Sequence, residues 1–381
     1  MSRKSKPTAA LRLSPFGTGV FLAVLAASLS SPAAAAVFGS DERVPLPQSM
    51  RAVGDKIGVL HDPRSHSICT AFCVAGDIVA TAAHCLYRTA DVPPLRLSDL
   101  VVKLHGSHAL THIAGTAEGA PEANVIAGST RLNVHPPIDA TRDWALVKLA
   151  KPICKSGGFK LSRKPVEEIM RLAEAGKIYN VAYHRDLPKW QPMFESGCGV
   201  KRSFEDADWN LIQRDFTNPA QLLLHTCDTG GASSGSPLLV DGPEGPEVVG
   251  INVGTYVQSK VIMLNGAVLH RFKSDDVANT GVNSLAFAAS LDALRGADTL
   301  LSRRDIQLLQ ARLAAKDLYL GPQDGKLTSA TRVAIERFER ASEAPVTGLA
   351  TRALLQTLVG TSQVATGKIP GKGVDTPGAS H

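Results

Sequence analysis

The 381 residues are 44 % hydrophobic and 20 % charged, which excludes a wholly disordered chain. At roughly 100–200 residues per domain, the length implies two or three folded units. The formal charge of +6 sits mostly in the first thirty-six residues, where Arg3, Lys4, Lys6 and Arg12 stand without an acid. The remainder has no dense basic patch, which argues against a nucleic-acid partner.

That basic start leads into the apolar run Val20–Leu29, then Ser30, Ser31, Pro32 and four alanines, the charged, apolar and small-residue order of a secretory signal peptide. The run is about ten residues, against roughly twenty for a membrane span. The expectation is a signal peptide over 1–36, cleaved near Ala36–Val37, no membrane span afterwards, and a secreted or periplasmic location. In such an oxidising compartment the six cysteines read as a disulfide framework rather than a metal site. The count leaves their pairing open apart from one exclusion. Cys69 and Cys73 share an apolar stretch that reads as a strand, where four residues span roughly 13 Å, beyond the roughly 7 Å a disulfide tolerates.

From 37 to 297 the chain alternates short apolar runs with Gly, Pro, Asn and Asp. Lys56–Leu60, Thr70–Thr81, Trp144–Leu149, Ile178–Tyr183, Ser236–Val240 and Val248–Val253 are examples. This spacing predicts an all-β body, with Asp241–Pro246 as a hairpin loop and one helix over Pro165–Ala175. So many strands would strain a single sheet, so two packed antiparallel barrels are expected. After Ser302 the period becomes helical, at Ile306, Leu309, Leu313, then Thr331, Ala334, Ile335, Phe338, then Leu354 and Leu358. Ser302 with Asp305 resembles a capping box. A compact three-helix unit over 301–360 is predicted, with a disordered tail over 361–381.

Three segments carry chemistry: Thr81-Ala82-Ala83-His84-Cys85, Asp143-Trp144-Ala145-Leu146-Val147-Lys148-Leu149, and Gly231-Ala232-Ser233-Ser234-Gly235-Ser236-Pro237. A serine hydroxyl needs an imidazole to take its proton and a carboxylate to hold that imidazole's tautomer. It also needs backbone N–H groups aimed at the oxyanion, and Gly230, Gly231 and Gly235 allow the tight turn this requires. Ser233 and Ser236 are competing hydroxyls.

These segments resemble the trypsin-like serine peptidases, and within them the bacterial glutamyl-endopeptidase-like branch. The chain order His, Asp, Ser is that of the chymotrypsin class, and Val37–Arg43 looks like a mature start of the bacterial branch. The resemblance implies a two-barrel chymotrypsin-like fold over 37–297 and a serine endopeptidase acting on protein or peptide. His84 would be the general base, Asp143 its orienter and Ser234 the nucleophile. The N–H groups of Ala232 and Ser234 would form the oxyanion hole. The family usually has Gly where this chain has Ala232, and trypsin itself has Asp where this chain has Ser233. Activation by pairing of a new N-terminal amine with that Asp is therefore not expected. The resemblance further implies a Cys69–Cys85 bridge. Cys198–Cys227 would tie the second barrel near the nucleophile loop, and Cys73–Cys154 then follows by elimination.

For substrate binding the resemblance points to Asp228, Thr229 and Asn252. Asp228 is either a pocket carboxylate for Arg or Lys or a loop carboxylate bonded to backbone N–H groups. Thr229 matches a residue of glutamyl endopeptidases, but Asn252 stands where their pocket histidine would be, so strict Glu preference is not expected. Residues 306–358 resemble a peptidoglycan-binding three-helix module through Ile306–Gln310, Asp324-Gly325, Thr331, Ala334-Ile335, Phe338 and Thr347-Gly348, which makes peptidoglycan the expected second partner. His105, His108 and His112 read as exposed loop histidines rather than a metal site, and no cofactor is expected. The rival reading is a catalytically inactive protease-like scaffold that binds peptide or peptidoglycan.

Overall fold

The computed structural model describes residues 36–87, 95–115, 121–205, 207–264, 267–344 and 346–364, with residues 258–264, 267–276 and 361–364 described as backbone only. The expected signal peptide, except Ala36, and the tail from residue 365 lie outside the described residues.

The strands are β1 (Val44–Pro45), β2 (Ile57–His61), β3 (Ile68–Ala75), β4 (Ile78–Thr81), β5 (Val101–Leu104), β6 (Thr111–His112), β7 (Val125–Ala127) and β8 (Ala145–Lys148), then β9 (Lys160–Leu161), β10 (Tyr179–Ala182), β11 (Met193–Ser196), β12 (Leu222–His225), β13 (Pro237–Gly242), β14 (Gly245–Leu264) and β15 (Ala267–Asn283). They form two sheets. One is seven-stranded in the order β6-β5-β2-β3-β4-β8-β7; the other runs β1-β11-β10-β13-β14-β15-β12, with β9 on β14. Pairing is antiparallel throughout except β9 with β14, which is parallel. The all-β, two-sheet architecture is chymotrypsin-like.

The apolar run Thr70–Thr81 divides at Gly76-Asp77 into the β3–β4 hairpin. Strand β2 is buried on both faces, from Ile57 to Leu60. Its Gly58 has no room for a Cβ, which would meet the Lys103 carbonyl of β5. The predicted Asp241–Pro246 loop is tighter than its composition suggests. Strands β13 and β14 pair down to Gly242 and Gly245, leaving Pro243-Glu244 as the turn. The chief departure is β14–β15. Val248–Val253 is only part of a twenty-residue strand that pairs far beyond the sheet, to Leu264 with Ala267.

Four helices belong to this body: α1 (Arg51–Gly54), α2 (Val166–Glu174), α3 (Trp209–Ile212) and α4 (Ala288–Arg295). Helix α2 is the predicted one, with Pro165 at its N-cap and Val166, Ile169 and Ala173 buried. Phe72, Phe159, Phe287, Ile57 and Ile78 are among the largest fully buried side chains, each contributing about 1.5–3 kcal/mol relative to exposure.

The last unit holds α5 (Arg303–Ala314), α6 (Ser329–Ala341) and α7 (Arg352–Val364). Ser302 caps α5, its Oγ accepting Asp305 N at 3.1 Å, and Thr328 and Thr331 cap α6 reciprocally. Ile306, Leu309, Leu313, Ala334, Ile335 and Leu358 are buried in one core. Helix α7 continues to Val364, four residues into the stretch expected to be disordered. The unit packs on the first sheet. Ala123 joins its core, Thr299 Oγ1 bonds Asn124 Oδ1 at 3.1 Å, and Arg332 donates to the Glu122 and Val125 carbonyls at 3.1 and 2.7 Å.

Candidate active site

Strand register brings histidine and aspartate together. In the β4–β8 pair Thr81 stands opposite Ala145, so residues just beyond one strand's end face those just before the other's start. A 3-10 turn over Ala83–Cys85 follows β4 and presents His84 to Asp143. Asp143 Oδ2 lies 2.7 Å from His84 Nδ1, and Oδ1 accepts the His84 backbone N–H at 2.9 Å. A carboxylate only accepts, so the Nδ1 proton points at it and Nε2 keeps a free lone pair. Asp143 is buried, while the His84 side chain is 23 % exposed. Both wall a cleft of about 820 Å³, with Tyr87, Val253, Gly254 and Tyr256.

The serine comes from the other sheet. Residues 230–236 form a tight loop in which Ser233 N donates to Gly230 O at 3.1 Å and Ser236 N to Ser233 O at 3.0 Å. Thr70 of β3 clamps it from the first sheet: its N–H reaches Ser234 O at 2.9 Å and its Oγ1 donates to Ala232 O at 2.8 Å. Gly235 has φ +84°, and a Cβ there would strike Thr81 Oγ1 and the Thr70 carbonyl. This seats Ser234 against the strand end that leads to His84. No hydrogen bond joins the Ser234 hydroxyl to His84 among the described residues.

Ala232 takes φ +80°, in glycine's territory. Its neighbour's carbonyl, Gly231 O, accepts Arg185 N at 2.6 Å, so across that trans peptide the Ala232 N–H points the opposite way. Neither Ala232 N nor Ser234 N donates to a protein acceptor among the described residues. Two open N–H groups in one turn can hold a developing oxyanion.

The residues expected to bind substrate sit behind this surface. Asp228 is 2 % exposed, and its two oxygens accept Phe38 N at 2.9 Å and Glu42 N at 3.0 Å. That is the arrangement of the loop-carboxylate alternative, with each oxygen engaged by a backbone N–H of the N-terminal segment. Thr229 pairs its backbone with Ala36. Asn252 is buried, with Oδ1 3.2 Å from His225 Nε2 and Nδ2 3.2 Å from Ser233 O, so it braces the nucleophile loop. Among the histidines weighed as ligands, His105 bonds the Tyr183 hydroxyl and His112 the Leu100 carbonyl.

Disulfides join Cys69 to Cys85, Cys73 to Cys154 and Cys198 to Cys227. The first flanks His84; the last lies beside Asp228.

Several residues around the site escaped the sequence reading. Thr70 spans the two sheets. Arg43 is buried and paired with Asp41 and Asp186, both at 2.7 Å. Glu195, buried, accepts Asp228 N at 2.7 Å; burial, then the charge of Asp228, pushes its carboxyl up to about 8. Burial holds His225 down to about 4, and burial with the Arg43 charge does the same to His184. The isolation of Glu195 within an apolar strand was the one available signal, and its partner is remote in sequence.

Two sheets meeting at a histidine–aspartate pair, with a glycine-framed serine loop across the junction, define a chymotrypsin-like hydrolase framework. The chain belongs to the trypsin family, whose model matches residues 52–262. A peptidoglycan-binding domain model matches residues 302–358, so the chain is a trypsin-like peptidase with a C-terminal peptidoglycan-binding module. Among solved structures it is similar to a Glu endopeptidase in complex with MPD, at 18 % identity and a TM-score of 0.45, covering 68 % of this chain and 98 % of that one. No curated protein matches the chain.

Proposed function

We propose that the chain is an exported serine endopeptidase held at the cell wall by its helical module. The observation that carries the catalytic part is the two-point grip of Asp143 on His84, which turns Nε2 away from the carboxylate; a serine turn with two open N–H groups supports it. In this reading Nε2 takes the Ser234 proton as Oγ attacks a peptide carbonyl. Ala232 N and Ser234 N hold the oxyanion, and Asp143 stabilises the imidazolium. His84 then protonates the leaving amine, and water releases the acyl group by the same steps in reverse order. The Asp228 carboxylate, buried and bonded to two backbone N–H groups, gives no support to an Arg or Lys preference, so none is included.

A fluorophosphonate probe tests the reaction. Wild type should label and Ser234→Ala should not, while Asp143→Asn should lower kcat by about 10⁴-fold, the usual effect of losing the orienting carboxylate. A second reading, an inactive scaffold, draws on the unbonded Ser234 hydroxyl; folded wild type that fails to label would favour it. Export and wall attachment draw on the three disulfides and the module at 302–358. No helix among the described residues is long and apolar enough to cross a membrane. Deleting 301–358 should abolish sedimentation with purified sacculi; unchanged pelleting would refute the tether.

A further inference from the structure

Between the protease body and the helical module lies a cavity of about 490 Å³, within the roughly 300–1,000 Å³ of ligand clefts. Arg96, Arg131 and Glu122 line it from the protease side, and Thr328, Ser329 and Arg332, at the start of α6, from the module side. Arg332 Nη2 is bonded to the Glu122 and Val125 carbonyls, but its Nη1 is buried and has no hydrogen-bond partner among the described residues. Arg96 and Arg131 form no ion pair among the described residues. Burial raises the Glu122 carboxyl, and the nearby Arg332 charge opposes that shift. Three guanidiniums against the single Glu122 carboxyl leave the cavity cationic, and a buried donor without an acceptor carries a desolvation cost that a ligand oxygen would remove.

The volume far exceeds that of a simple inorganic anion, and the walls mix hydroxyls with apolar Leu97 and Ala350. Tyr87 and Arg131 wall both this cavity and the cleft that holds His84. Resting on the wall-binding reading above, we infer that the cavity seats an anionic muramyl peptide, an amino sugar bearing a short peptide with free carboxylates. The arginines take the carboxylates, and the hydroxyl-rich start of α6 takes the sugar.

Calorimetric titration of the purified chain with muramyl dipeptide tests this. Saturable one-to-one binding is expected, weakened about tenfold by each of Arg96→Gln and Arg131→Gln, since each removes a charge-assisted hydrogen bond to a ligand carboxylate. Both side chains are exposed, so neither variant threatens the fold. Arg332→Gln should weaken binding as well, with circular dichroism checking that the modules remain intact. No saturation, equal binding by the two exposed-arginine variants, or equal binding of the same dipeptide without its sugar would each overturn the inference. Sacculus sedimentation separates the two failures. Pelleting with no muramyl-dipeptide binding sinks the cavity assignment alone, whereas loss of pelleting sinks the wall-binding reading.

Discussion

Ala232 carries a methyl group where φ +80° favours glycine. Strain of this kind costs on the order of 1–3 kcal/mol and persists only where surroundings over-determine it. Here they do: Thr70 Oγ1 holds its carbonyl and Arg185 N the one before it. Ala232→Gly should therefore stabilise the fold by about 1 kcal/mol while keeping the N–H in place, which urea denaturation would register. A destabilised variant would mean that the methyl's packing outweighs the relieved strain. Thr70→Val removes only the hydroxyl part of the clamp, leaving the Ala232 carbonyl without its donor and the Tyr183 N–H without its acceptor, at a cost of about 1–3 kcal/mol. That loss should appear in the same denaturation curves.

At the scale of elements, the helical module depends on buried polar staples as much as on its apolar stripe. Glu339, on the buried face of α6, accepts Thr347 N, Thr347 Oγ1 and Gly348 N at 2.7, 2.6 and 2.8 Å, fixing the loop before α7. Glu339→Gln keeps the shape but turns one acceptor into a donor facing other donors. It should cost about 2 kcal/mol, measured as a lower melting temperature. Gln310 plays the matching part at Gly325, whose N–H it accepts at 2.8 Å. These positions explain why Asp324-Gly325 and Thr347-Gly348 stood out as motifs: each is a turn whose N–H groups need a buried side-chain acceptor.

For the whole molecule, buried titratable groups set the dependence of stability on pH. Glu195 stays protonated in the fold to about pH 8 but ionises near 4.5 when unfolded. Its stabilisation is fully present below 4.5 and is lost as pH rises toward 8. His184 and His225 are neutral in the fold down to about 4, whereas the unfolded imidazole charges below 6.5. Their stabilisation is present above 6.5 and lost as pH falls toward 4. Two imidazoles against one carboxyl place the maximum near pH 6.5, to be read from denaturation midpoints across pH. Glu195→Gln should flatten the decline above that maximum, and an unchanged alkaline limb would contradict the assignment. The Cys73–Cys154 bridge closes a loop with a sequence separation of 81, and replacing both cysteines by alanine should cost about 2–4 kcal/mol.

Period and punctuation were readable along the chain. Alternation cut by Gly and Asp announced β2, β8, β10 and β13, and the recurrence of Ile306, Leu309 and Leu313 announced α5, because side-chain burial follows the backbone's own repeat. The histidine, aspartate and serine segments were also visible, as short stretches whose residue types suit one chemistry. Their meeting was not. The contact of Asp143 with His84 depends on the β4–β8 register, and the seat of Ser234 on Thr70 reaching across from the other sheet. The fate of Asp228 shows the limit most plainly. Composition allows a carboxylate to face either a substrate cation or backbone amides, and only the packing of residues 38–42 against it selects the amides. The cationic cavity between modules belongs to the same class, since it arises from surfaces contributed by segments far apart in the chain, whose approach no local pattern encodes.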